Sequence, residues 1–159
     1  MMRRLTALWI VGLIGTLVLA LLVTVSCGDD DDTGATVGKI GALEVTDAGA
    51  RAVLNGGAAY FTVKNTGDTD DALVDASSDV ARKVELHEVV TVEGMHKMQP
   101  VAEIAIPAKG EAILQPGGYH VMLLDLEETL EVGDTITLTL TFKEAGSLDI
   151  QAGVVPYAE

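Results

Sequence analysis

Apolar and polar residues change rhythm three times along this chain. From Leu5 to Val25 an apolar run carries no charge, and from Gly28 to Gly34 there is no large apolar side chain to bury and four aspartates stand in a row. From Lys39 onward the pattern becomes one of short alternating pieces closed by turn residues. Ile40 to Val45 and Ala50 to Leu54 read as strands, the second ending at Asn55-Gly56-Gly57. Ala59 to Lys64 is a β-rich run closed by Asn65-Thr66-Gly67-Asp68, and Asp71 to Val74 is a short piece. Lys83 to Val92 alternates long enough to be a principal strand, and Gly94 marks a turn before Met95 to Met98. Pro100 interrupts before a further piece from Val101 to Ile106, and Pro107, Gly110, Pro116, Gly117 and Gly118 then punctuate a meander that leads into Tyr119 to Leu124. Asp134 to Phe142 has the cleanest period of two, and Ser147 to Val155 ends the domain. No window of a dozen residues sustains helical spacing without a glycine or proline. Eight or nine short strands argue for an all-β antiparallel sandwich or Greek-key barrel.

The 159 residues leave room for one domain and an appendage. Residues 1–26 have the order of an export signal: Arg3 and Arg4, the apolar run, then Ser26-Cys27-Gly28. The segment Val23-Thr24-Val25-Ser26-Cys27 resembles a bacterial lipoprotein processing site, with Thr24 where leucine is commonest, and marks Cys27 for lipidation. An uncleaved membrane anchor and a plainly secreted form are the alternatives, because the run is just long enough to span a bilayer. Each places the domain outside the cytoplasm, in the periplasm or on the outer face of the cell membrane. Residues 27–37 read as an acidic flexible tether and 38–159 as the folded domain.

The formal net charge is −14, and it becomes more negative once the two leader arginines are removed. Such a surface repels phosphate backbones, which argues against nucleic-acid binding. Cys27 is the single cysteine, which excludes a disulfide, a thiolate copper centre and a cysteine nucleophile in the folded part. No nucleophile motif frames the histidines, so the chain does not read as an enzyme.

All three histidines, and every methionine beyond the leader, fall within a 36-residue stretch from His87 to Met122. Ten residues separate His87 from Met98, twenty-one separate Met98 from His120, and one separates His120 from Met122. Residues two apart in a strand share a face, so His120 and Met122 point together while Tyr119, Val121 and Leu123 point to the other side. Leu86 and Glu88 likewise face away from His87. The strand ending at Val92 and the one starting at Met95 make a hairpin-like pair that can bring Met98 near His87. A third strand bearing His120 and Met122 completes the cluster if it neighbours them. Two imidazoles with two thioethers suit a soft monovalent ion, Cu(I), better than zinc, calcium or magnesium. Met95 reads as a packing or loop residue, and His96 as a loop residue and auxiliary ligand candidate. A structural His/Met cluster in an extracytoplasmic interaction module is the competing reading.

The segments Val84-Glu85-Leu86-His87-Glu88, Met98-Gln99-Pro100-Val101 and Pro116 to Leu123, with Gly133-Asp134 and Leu138 to Phe142, resemble the periplasmic copper(I) chaperones of the PCuAC type. All four His and Met positions and both gaps match that family's pattern, and the resemblance runs from about Val45 to Val154. It implies a cupredoxin-like β-barrel with His87, Met98, His120 and Met122 as Cu(I) ligands. It also implies delivery of copper toward the CuA-bearing subunit of cytochrome c oxidase, or to a thiol-bearing copper chaperone. The His/Met-rich tail of some relatives is not part of this sequence.

Overall fold

The computed structural model describes residues 35–53 and 56–156, where every regular element is a strand. The leader, Cys27 and nearly all of the acidic tether lie outside the described residues. In chain order the strands are β1 (Thr36–Ile40), β2 (Leu43–Val53), β3 (Gly56–Asn65), β4 (Asp71–Ser78), β5 (Ala81–Val92) and β6 (Met95–Pro100). They continue with β7 (Ile104–Ile106), β8 (Glu111–Leu114), β9 (His120–Leu126), β10 (Thr135–Phe142) and β11 (Gly146–Val154).

Hydrogen bonding links them in the order β6-β5-β9-β3-β2-β11-β10-β4-β7, with β1 added on β2 and β8 on β3. Two long strands make this continuity possible by changing partners along their length. The first part of β3 pairs with β9 and the second with β8. The first part of β2 pairs with β1, and after a bulge between Thr46 and Gly49 it meets β11. Asp47 sits in that bulge at φ 56°, where the extra residue bends the strand. Among the described strand-to-strand ladders, β2 with β11 is parallel and the others are antiparallel; an isolated bridge between Leu114 and Tyr119 is also parallel. Successive strands β3 and β4 lie far apart in the order, the crossover expected of a Greek key.

Alternation along the strands builds one aliphatic core. Ile136, Leu138, Leu140 and Phe142 of β10 are buried against Val45, Phe61, Val63, Leu86, Val121 and Leu123, while the intervening threonines of β10 stay outside. Asn65 is buried but satisfied. Its amide donates to Thr69 O (2.8 Å) and Ile106 O (3.3 Å), and its oxygen accepts from Gly67 N (2.9 Å).

The all-β sandwich is as expected, with more strands than expected. Gly41, at φ 56°, turns the chain inside the predicted Ile40 to Val45 strand and splits it into β1 and β2. Leu43 to Val53 then runs as one strand, because the bulge interrupts its alternation without ending its pairing. The predicted Val101 to Ile106 piece is shortened to the three residues of β7, and the meander adds β8, whose four residues are too few to declare themselves by periodicity. Pro100 closes β6 opposite His87 rather than standing between strands. Tyr119 is surface-exposed, although Val121 and Leu123 beyond it are fully buried.

Candidate metal centre

The site lies on the outer face of the β6-β5-β9-β3 end of the sheet. Register puts His87 of β5 directly opposite His120 of β9, with ring centroids 5.7 Å apart and planes at 61°. Leu86, Val121 and Leu123 point into the core, so the residues between them point outward together. Met122 is therefore on the His120 face, opposite Glu85 on one side and Ala58 of β3 on the other. Room for its thioether comes from small neighbours. Its terminal methyl lies 3.8 Å from where a Cβ at Gly56 would stand.

Met98 reaches the same face from β6. Glu93 and Gly94 both have positive φ (52° and 81°), the two-residue geometry that matches hairpin twist, and they fix the β5–β6 register. His87 is then opposite Pro100 and Val89 opposite Met98, making Met98 a diagonal neighbour of His87 on its own side. It is 60% exposed. His96 also faces this way, opposite Thr91 and two positions further out, with its Nδ1 3.3 Å from Thr91 Oγ1. Met95 points to the other side of β6, opposite Val92. Both residues stand in strand β6 rather than in the loop that the adjacent glycine suggested, because the turn needs only Glu93 and Gly94.

Neighbours not singled out from sequence complete the surroundings. The Tyr60 ring lies 6.3 Å from His120, and the Arg51 guanidinium stands 5.6 Å from the Tyr60 centroid, close enough for a cation–π contact. On β5, Glu85 accepts from His87 Nε2 at 2.9 Å and from Lys83 Nζ at 2.8 Å. The signal for this was the alternation Lys83-x-Glu85-x-His87, three polar side chains on one face of a strand.

His120 is 4% exposed, and its Nδ1 donates to Gly118 O at 3.2 Å. Burial pushes its pKa below the ordinary 6.5; the Gly118 hydrogen bond opposes this, and nearby His87 adds to it. Hydrogen bonding from Lys83 and then from His87 holds the Glu85 carboxyl below its usual range. Above the ordinary imidazole pKa of 6.5 the face therefore offers neutral imidazole at His120, which is the form that binds metal. His87 Nδ1 is buried without a hydrogen-bond partner, an atom available to a ligand. Among the described residues no group of three or more His, Cys, Asp or Glu converges as a metal site, and the Met98 and Met122 thioethers stand on the same face as the two imidazoles. The donor set on this face fits a soft ion.

The family described as "Putative lipoprotein LpqE-like" matches residues 43–154. The chain is 36% identical over 118 residues to a protein of Leifsonia xyli subsp. xyli named "Putative lipoprotein", covering 73% of this chain and 71% of the relative. It is similar to the copper-bound PCuAC domain from PmoF2, with a TM-score of 0.62 and 27% identity over 75% of this chain and 97% of the other. It is also similar to CuI-DR1885 from Deinococcus radiodurans, with a TM-score of 0.59 and 32% identity over 76% of this chain and 81% of the other.

Proposed function

Because this chain belongs to the LpqE-like family, of the PCuAC copper-chaperone type and cupredoxin-like fold, we propose that it is an extracytoplasmic Cu(I) carrier tethered to a membrane through lipidated Cys27. His87, Met98, His120 and Met122 hold the ion. The observation that carries this reading is the register that sets His87 opposite His120, with Met122 and Met98 on the same face of neighbouring strands.

Copper is the cargo, and the chemistry is that of holding and releasing it. Imidazole and thioether are neutral donors, so the ion keeps its positive charge and moves readily to a partner offering thiolate. Met98 is the exposed member of the set and His120 the buried one, so an incoming ligand reaches the ion from the β6 side. The receiving partner is the CuA-bearing subunit of cytochrome c oxidase or a thiol-bearing copper chaperone.

The test is Cu(I) titration of the full chain against a competing chelator under reducing conditions. About one Cu(I) per chain is expected, and His120→Ala combined with Met122→Ala should abolish uptake. Stoichiometric binding that survives the double change would refute the ligand assignment.

A further inference from the structure

Alternate positions of β5 place Lys83, Glu85 and His87 on one face. Lys83 Nζ engages one carboxylate oxygen of Glu85 at 2.8 Å, and His87 Nε2 engages the other at 2.9 Å. An ionised carboxylate only accepts, so the proton of a neutral His87 ring sits on Nε2. Nδ1 is then the bare lone pair, and it is the atom that the structure buries without a partner. A protein does not ordinarily desolvate an acceptor and leave it unpaired. His120 shows the opposite arrangement: its Nδ1 donates to Gly118 O at 3.2 Å, which leaves Nε2 bare.

We infer that Glu85 is the positioning residue for His87: it fixes the Nε2–H tautomer so that His87 meets copper through Nδ1, while His120 meets it through Nε2. The inference rests on the Cu(I) reading of this face and deepens it by assigning donor atoms. Both Glu85 oxygens are engaged, so the carboxylate acts through the ring rather than as a ligand. Its charge also stands one imidazole away from the bound cation and offsets part of what four neutral donors leave uncompensated. Lys83 holds the carboxylate in the orientation that His87 needs. Outer-shell partners of this kind orient metal-bound histidines generally, and their loss weakens binding by about 10–100-fold.

The experiment reads the imidazole nitrogens of the metal-free full chain by ¹H–¹⁵N correlation in detergent solution at mildly alkaline pH, with Cu(I) affinity measured separately. In the wild type, His87 is expected to show a protonated Nε2 and an unprotonated Nδ1. Glu85→Gln keeps a side-chain acceptor and should keep that tautomer. Glu85→Ala should redistribute the ring between tautomers and weaken Cu(I) binding by about 10–100-fold, with Glu85→Gln in between. A wild-type ring protonated at Nδ1 overturns the assignment without any variant having to fold, and so does a tautomer unchanged in Glu85→Ala. Cu(I) uptake together with the Nδ1–H tautomer removes Glu85's role alone. The Nε2–H tautomer without Cu(I) uptake instead overturns the carrier reading, and with it any role of Glu85 toward copper.

Discussion

Replacing Gly56 with alanine tests whether the donor face depends on how closely β3 approaches β9. A Cβ at Gly56 would stand 2.5 Å from the backbone oxygen of Leu123 and 3.8 Å from the methyl of Met122. Carbon and its neighbours pack at about 3.5–4.0 Å, so one strand must retreat by roughly 1 Å. The obstacle is backbone and cannot rotate away as a side chain would. The retreat falls on the short pairing of Gly56–Ala59 with Val121–Leu124, which also positions Met122 opposite Ala58. Overpacking of this kind costs about 1–3 kcal/mol. At roughly 4 °C per kcal/mol for a domain of this size, Tm should fall by about 4–12 °C. Cu(I) affinity should fall with it, because Met122 moves away from His120 and His87. Gly153→Ala is the control. A Cβ there meets nothing within 4 Å, and removing a glycine's freedom from the unfolded chain stabilises by about 0.4–1 kcal/mol. Thermal unfolding and chelator competition on the full chain decide the matter. A Gly56→Ala variant with wild-type Tm and affinity would refute the reasoning, as would a Gly153→Ala variant equally damaged.

Other consequences can be checked in parallel. Met122→Leu conserves volume and should cost less than about 1.5 kcal/mol in chemical denaturation, while chelator competition shows a clear loss of Cu(I) affinity. Phe61→Ala empties a fully buried position and should destabilise by about 3–5 kcal/mol in the same denaturation assay. Cu(I) at a hundred times its dissociation constant should add about 2.7 kcal/mol to the stability of the native state, raising Tm under reducing conditions. For pH, the folded pKa of His120 lies below its unfolded 6.5, so between the two values the unfolded chain binds more protons. Its stabilising contribution is therefore complete above 6.5 and is lost as pH falls through the folded value. Under the proposed ligand assignment, protons compete with Cu(I) for this ring in the same direction. Denaturation midpoints and Cu(I) affinities across that range should both decline on acidification, and a rise in either would contradict the assigned sign.

Much of the candidate site was legible because strand parity is local. The pattern His120-x-Met122, flanked by Val121 and Leu123, fixed which side chains point outward, and a two-residue turn at Glu93-Gly94 was enough to fold β5 onto β6. The alternation of β10 likewise marked its buried face. Other features depend on residues far apart in the chain meeting at a particular register. Nothing in the sequence around His87 states that it lies opposite His120, thirty-three positions away, or that β9 sits between β5 and β3. The Asp47 bulge and the parallel contact of β2 with β11 were hidden for the same reason. Tyr60 enters the site only because β3 pairs with β9. Periodicity tells each strand which side to bury; only the packed sheet decides which residues of neighbouring strands meet on a face and which ring nitrogen of His87 and of His120 is taken up by a hydrogen bond.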